Sequence, residues 1–258
     1  ILNLQLPVNI EKKSVLNFKM DIAGIDSLII ELTNIISKNP KSSQIIELFN
    51  KSYSSNKNLT EATRFLINSI FGKYGLLIID GDDSRLKNKI ADIVDEDINN
   101  HTFYSIIKET NKKLTQNYHT QAYVRPINFF KISEDKRERI SCQIDKEDIV
   151  NNPHDYSPNV LLRPIYQEKI LPNIAYVGGG AEISYWLQLK EVFTHLSISF
   201  PILVIRNSVM VIDSKQKSRI EKLNLLADDF FESIDLTNKK YLNMFFWLIL
   251  SCYKNPYL

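Results

Sequence analysis

Cysteine is scarce in this sequence. Its two cysteines, Cys142 and Cys252, cannot build a disulfide framework or a zinc site. An excess of one charge is also missing: 32 basic against 30 acidic residues leaves +2, with the basic residues spread evenly, so nothing favours nucleic acid or an anionic membrane. Long apolar runs are absent. The longest near the end, Met244–Leu250, falls well short of the roughly 20 residues that span a bilayer. Ile1–Ile10 lacks the basic segment and apolar core of a secretory leader. The four histidines, His101, His119, His154 and His195, are scattered without metal-ligand spacing and read as surface or helix-end residues. No Ser-His-Asp set, glycosidase carboxylate pair or cysteine nucleophile stands out, and Cys142 reads as half-buried strand packing. These absences predict a soluble, cytoplasmic protein with no metal, no nucleic-acid partner and no membrane partner.

What is present is ordinary globular composition: 258 residues, 44% hydrophobic and 24% charged, enough for one large domain or two small ones. Isoleucine is so abundant, at 35 residues, that periodicity decides between helix and strand. Residues 26–72 carry three stretches with helical spacing, one through Leu28, Leu32 and Ile36, one through Ile45–Phe49, and one opened by Thr60-Glu61. Leu76–Asp80 reads as a buried parallel strand. Asp82–Ser84 can cap a long helix through Leu86, Ile90 and Val94, and another helix covers Phe103–Tyr118. Ile127–Ile132 and Glu138–Ile144 alternate around a charged turn, as a β-hairpin does. Lys146–Val150 is a short helical piece, and Val160–Ile170 is helical with Pro164 admissible in the first turn. Asn173–Val177, Pro201–Arg206 and Val209–Ile212 read as strands, Ala181–Leu196 as one amphipathic helix, and the chain from Lys215 onward as helical. Strand–helix–strand alternation implies an α/β fold with a parallel sheet.

The informative stretch is residues 157–193, SPNVLLRPIYQEKILPNIAYVGGGAEISYWLQLKEVF. A strand, three glycines (Gly178, Gly179 and Gly180) and a helix form an arrangement suited to phosphate or carboxylate, since N–H groups and the helix dipole point at the turn. It lacks the Lys-Ser/Thr of a Walker loop and the full dinucleotide fingerprint, and a ligand-free tight turn accounts for it equally. Glu182 can cap that helix or, beside Tyr185 and Trp186, seat an ammonium group; Trp186 can equally be core. Asn159, Arg163 and Gln167 fall at i, i+4 and i+8. Arg163 lies among apolar residues and requires a carboxylate or phosphate partner, from the protein or from a ligand. Arg206 and Asp80 end strands, where open α/β sheets place ligand contacts, and an ordinary ion pair explains either.

These residues resemble the signature region of the bacillithiol biosynthesis cysteine-adding enzymes. In that family an N-V-x-x-R-P-x-x-Q-E-x-x-x-P segment leads into A-[FY]-[VI]-x-G-P-G-E-I-x-Y-W-x-x-L-K; LLIIDGDDSRLK and FPILVIRNSVMVID are similar to two further family segments. The likeness extends over most of residues 60–225 and corresponds to the family's C-terminal half. It implies a Rossmann-like core of the nucleotidyl-transferase and class I synthetase type. Residues 1–120 would lead into that core, 121–156 would be a hairpin-bearing connecting insertion, 157–213 the core with its glycine turn, and 214–258 the truncated start of a helical coiled coil. The implied reaction is ligation of L-cysteine to the amine of glucosaminyl-malate, giving the low-molecular-weight thiol bacillithiol. No cofactor would be covalently bound; ATP or another nucleotide would activate the carboxyl, and the complete family member would be a homodimer. Asn159, Arg163, Gln167, Gly178, Gly179, Glu182, Tyr185, Trp186 and Arg206 match the motif positions, and Gly180 completes the turn. The family's G-P-G-E reads Gly179-Gly180-Ala181-Glu182, and its G-G-Q-Q and G-E-D-H-D motifs do not occur. With Ile1 as first residue, this suggests a fragment, and a non-catalytic remnant or interaction module is the alternative.

Overall fold

A computed structural model describes residues 22–133 and 136–233, with 235, 236, 238 and 239. By its contacts the chain divides into two units, one up to Arg206 and one from Asn207.

The first unit opens with the three expected helices, α1 (Ile22–Ile36), α2 (Ser42–Tyr53) and α3 (Leu59–Phe71). α2 packs against both neighbours. The Asn58 side chain caps α3 by accepting from Glu61 N at 2.8 Å. Beyond Gly75, which takes a left-handed φ of 82°, Leu76–Asp80 is not the buried strand that its composition predicts. Leu76, Leu77 and Ile79 are exposed, and no strand among the described residues pairs with them. A strand exists only through a neighbour's ladder of hydrogen bonds, which apolar composition cannot supply.

Asp83 then caps α4 (Ser84–Lys87), and a 3-10 turn leads to α5 (Ala91–Asn100) and α6 (Thr102–Leu114). The single long helix expected here is interrupted because Lys87 is buried and pinned. Its Nζ meets Asp82 Oδ1 at 2.7 Å and donates to His154 O at 3.1 Å, while Ile90 leaves helical dihedrals to enter the core. The hairpin is present as β1 (Phe129–Ser133) and β2 (Lys136–Arg139). After α7 (Lys146–Asn151), β3 (Tyr156–Pro158) pairs with the other edge of β1, making an antiparallel sheet in the order β2-β1-β3. Cys142, expected to be half-buried, is exposed because β2 ends before it.

α8 (Arg163–Ile170) carries Pro164 in its first turn, and β4 (Ala175–Gly178) follows. The expected helix Ala181–Leu196 is two helices, α9 (Gly180–Leu187) and α10 (Lys190–His195), which cross over to β5 (Ile202–Ile205), parallel to β4. Among the described residues the parallel sheet therefore has two strands. Val209–Ile212 makes no strand and its apolar side chains are exposed. The core lies beneath: Val94 and Ile98 of α5, Phe103 and Ile107 of α6, Phe129 of β1, Leu161, Leu162 and Ile165 around α8, and Trp186, Val192 and Phe193 of α9 and α10. Tyr176 stacks on Trp186 at 4.2 Å between centroids, and Phe193 and Phe200 extend the aromatic row.

In the second unit, Asp213 caps α11 (Ser214–Lys222) by accepting from Gln216 N at 2.7 Å, and a 3-10 turn spans Ala227–Phe231. The helical reading from Lys215 holds through Lys222 and again at residues 235, 236, 238 and 239, with a break between, and Met244–Leu258 lies outside the described residues. No helix among the described residues is long and apolar enough to cross a membrane.

Candidate functional site

β4 delivers the chain into Gly178-Gly179-Gly180 and the first turn of α9. A Cβ on Gly178 would sit 2.6 Å from the Tyr176 ring and 3.3 Å from Glu182; one on Gly179 would sit 3.1 Å from the Arg206 guanidinium. At Gly178 a side chain would have to displace the ring, whereas at Gly179 the guanidinium would need to give by only a few tenths of an ångström. Gly180 faces open space. Arg206 N donates to Gly178 O at 2.9 Å, fastening the end of β5 to the turn. Glu182 Oε2 accepts from Gly179 N at 2.7 Å, so the helix closes its own N-terminus with a carboxylate.

The sequence spacing places Asn159 on the face of α8, but it precedes that helix and caps the turn before it. Its Oδ1 accepts from Leu161 N at 2.9 Å and Leu162 N at 3.1 Å. Its Nδ2 donates to Asn128 Oδ1 at 2.9 Å. Asn128 in turn donates from N (2.5 Å) and Nδ2 (3.0 Å) to the buried Asp97 carboxylate. Burial pushes Asp97 up to about 6, against the pull of those Asn128 hydrogen bonds.

A cleft of about 460 Å³ brings together Asn159, Arg163, Gln167, Glu182, Tyr185 and Trp186, six of the ten residues singled out in the sequence. Gly178, Gly179, Gly180 and Arg206 are not among its lining residues. The cleft adds Arg137 and Tyr176, which sequence reasoning passes over. The signal for Tyr176 is its place two residues before Gly178. Arg137 reads as one more charge in a hairpin turn, and only the pairing of β1 with β3 carries it to Pro158. There it stacks on Phe130 at 3.6 Å from the ring centroid and donates to Pro158 O at 2.9 Å and Ser157 Oγ at 3.3 Å.

Arg163 is exposed into this cleft, and its guanidinium has no carboxylate or hydrogen-bond partner among the described residues. Desolvation, together with the fields of Arg139 and Arg163 and against that of Asp82, holds Arg137 below the usual guanidinium value. Burial, then the charges of Tyr176 and Glu182, raise the Tyr185 phenol, while Arg163 opposes them. Tyr176 is likewise raised by burial first and by Glu182 next. The Trp186 indole N–H is buried and interacts with the Tyr176 phenol without reaching hydrogen-bond geometry. Gln167 donates to Glu168 Oε1 at 3.2 Å. On the flank, Tyr166 donates to Gly81 O at 2.9 Å and is pushed up to about 12 by burial and by Asp82, Asp83 and Asp80. The cleft therefore offers two guanidiniums without a carboxylate partner, one carboxylate and three aromatic rings. In chemistry that set is complementary to a ligand carrying carboxylate or phosphate groups together with an amine. Among the described residues no cluster of His, Cys, Asp and Glu could hold a metal ion.

The family model described as "Bacillithiol biosynthesis BshC, N-terminal Rossmann-like domain" matches residues 3–207. The motifs read the chain as a C-terminal half; the matched description is of an N-terminal Rossmann-like domain. Among curated proteins, the chain is 41% identical over 201 residues to "Putative cysteine ligase BshC" of Flavobacterium johnsoniae, covering 72% of this chain and 38% of the relative. The protein of the same name from Flavobacterium psychrophilum is 40% identical over 217 residues, 76% of this chain and 41% of the relative. That from Christiangramia forsetii is 38% identical over 210 residues, 74% and 39%. The chain spans about two fifths of the length of the curated relatives it matches.

Proposed function

The chain belongs to the BshC family of bacillithiol biosynthesis, with a Rossmann-like domain, and we propose that it contributes the Arg137–Arg163–Glu182 cleft to a ligase joining the carboxyl of L-cysteine to the amine of glucosaminyl-malate. The observation that carries this reading is the pair of guanidiniums without a carboxylate partner, sharing one cleft with a carboxylate and aromatic rings. Arg137 and Arg163 suit the substrate carboxylates, where a planar fork of donors pairs bidentately. Glu182, with Oε2 on Gly179 N, keeps its other oxygen for an amine beside Tyr185 and Trp186.

Amide formation expels water, so the cysteine carboxyl needs activation, and ATP or another nucleotide is the proposed co-reactant. Its phosphates fit the Gly178–Gly180 turn poorly, because Glu182 already occupies Gly179 N–H and places negative charge at the helix end. Other residues of the complete family polypeptide would hold it. The proposal includes a cytoplasmic location and, for the complete polypeptide, a homodimer.

Mass spectrometry tests the reading: the chain, alone and then supplemented with the rest of the F. johnsoniae polypeptide, is incubated with L-cysteine, glucosaminyl-malate and ATP. Bacillithiol is expected at least in the supplemented mixture. Arg163→Ala should reduce it more than tenfold with an unchanged circular dichroism spectrum. No product in either mixture sinks the ligase reading and leaves a non-catalytic interaction module in its place.

A further inference from the structure

Glu168, one residue beyond Gln167 on α8, is only 1% exposed, yet among the described residues it forms no ion pair. Its partners there are neutral N–H donors. Asn173 N donates to Oε2 at 2.8 Å, and Asn173 Nδ2 and Gln167 Nε2 donate to Oε1 at 2.9 and 3.2 Å. The adjacent Lys169 turns to Asp92 instead, at 3.7 Å. A buried carboxylate without a counter-ion is costly in free energy, and a neutral acceptor would serve the Asn173 donors as well. What the carboxylate adds is a fixed orientation for the Gln167 amide. It accepts and cannot donate, so the Gln167 atom that faces it has to be Nε2 and never Oε1. The two ends of an amide that rotation would otherwise interchange are thereby told apart.

Gln167 is half-buried in the cleft wall, and among the described residues its Oε1 accepts no hydrogen bond. With Nε2 committed to Glu168, that oxygen is what the side chain has left to offer a ligand. Arg163 lies one turn earlier on the same face of α8, so the acceptor sits beside a guanidinium suited to a ligand anion. An ammonium group is drawn to the Glu182 carboxylate more strongly than to a neutral amide oxygen. The donor that remains for Gln167 is a neutral hydroxyl. We propose that Gln167 Oε1 reads a hydroxyl group of the amine-bearing substrate, and that Glu168 is the positioning residue that keeps this oxygen, not the amide nitrogen, turned to the ligand. The inference rests on the ligase reading of the cleft and deepens it: the amine substrate is of the polyhydroxylated class, as the ring of glucosaminyl-malate is. A ligand lacking the hydroxyl leaves the half-buried acceptor unpaired, which is how a site selects for an O–H group.

Isothermal titration calorimetry of the chain compares glucosaminyl-malate with the aminoethyl ether of malate, which keeps the amine and both carboxylates but has no ring hydroxyls. The parent is expected to prefer glucosaminyl-malate by about tenfold or more. Gln167→Leu, of similar volume, should erase that preference by weakening glucosaminyl-malate alone. Glu168→Gln should narrow it by about fivefold, because a carboxamide at position 168 can face either end of the Gln167 amide. Both variants should keep the parent's circular dichroism. A preference unchanged in Gln167→Leu, with binding lost in Arg163→Ala, overturns this inference and leaves the cleft reading standing. No binding by the parent, or binding that survives Arg163→Ala, overturns both. Equal weakening of the two ligands by Glu168→Gln makes its role structural and overturns the positioning. Where Glu168→Gln does not fold, the side-chain amide protons of Gln167 decide in the parent, assigned by their loss in Gln167→Leu. Slow hydrogen exchange supports the clamp, and exchange as fast as that of free glutamine overturns it.

Discussion

Around Gly178 a strand end, a phenol ring and a carboxylate crowd one Cα, and the three glycines of the turn are not equivalent. Gly178→Ala would drive a methyl to 2.6 Å from the Tyr176 ring, and that ring is not free to yield, being stacked on the buried Trp186. Forcing it aside is expected to cost about 1–3 kcal/mol, the usual range for overpacking. Gly180→Ala meets open space and should stay within about 0.5 kcal/mol of the parent. Urea unfolding of the two variants checks this, and equal midpoints would mean that the crowding at Gly178 is relieved cheaply. The sequence marks the triplet but not which member is constrained. The constraint on Gly178 comes from the residue two places earlier, which the strand's pleat returns to the same face, and that on Gly179 comes from Arg206 at the end of the other strand. Local spacing similarly makes Asn159 the start of a helix face, whereas its partners are Asn128 and, through it, Asp97.

Among the elements, the division of Ala181–Leu196 into α9 and α10 is the clearest case of long-range contacts overriding a period. The apolar positions run continuously at helical spacing, so nothing local marks a break. Yet Gln188 is fully buried, with Oε1 accepting from Ala122 N at 3.0 Å and Nε2 donating to Ala122 O at 3.0 Å and Asn111 Oδ1 at 2.8 Å. The backbone tightens there, Gln188 N bonding Tyr185 O and Leu189 N bonding Trp186 O. This carboxamide ties the end of α9 to α6 and to the segment before β1. Gln188→Leu would preserve volume but leave both backbone groups of Ala122 without their partner, a loss of about 1–3 kcal/mol. Amide hydrogen exchange at Ala122 is expected to quicken with it. Unchanged protection would mean that another group satisfies Ala122 and that the tether does not set the break. The three N-terminal helices, by contrast, follow directly from apolar spacing and terminal residues such as Asn58, because their determinants lie within a turn or two of one another.

For the whole molecule, strands were the least legible feature: Leu76–Asp80 and Val209–Ile212 have the composition of strands but no strand partner among the described residues, and a strand is a property of a pair. The cleft was partly legible, because one contiguous stretch supplies six of its residues while Arg137 arrives through hairpin pairing. Stability against pH integrates such distant placements. Asp148 lies below the ordinary carboxylate value through hydrogen bonds from Lys131, Tyr156 and Asn152, and Asp83 is held at about 2 by the Arg85 side chain and backbone, so each favours the folded state above about pH 4 and loses that contribution on acidification. Asp97 acts in the opposite sense. Burial lifts it to about 6, so between about pH 4 and pH 6 the folded chain retains a proton that the unfolded chain has released. Stability from this group is therefore greatest below that window and declines as pH rises through it, by an amount on the order of 1–3 kcal/mol. The exposed Asp83–Arg85 pair is screened and weighs little against this. The urea midpoint of the parent should accordingly be higher at pH 5 than at pH 7. Asp97→Asn sets an N–H against the donors of Asn128 and should be less stable at both pH values, but without that difference. If the variant keeps the parent's rise between pH 7 and pH 5, the proton is taken up elsewhere, and the Asp97–Asn128–Asn159 chain is neutral to pH.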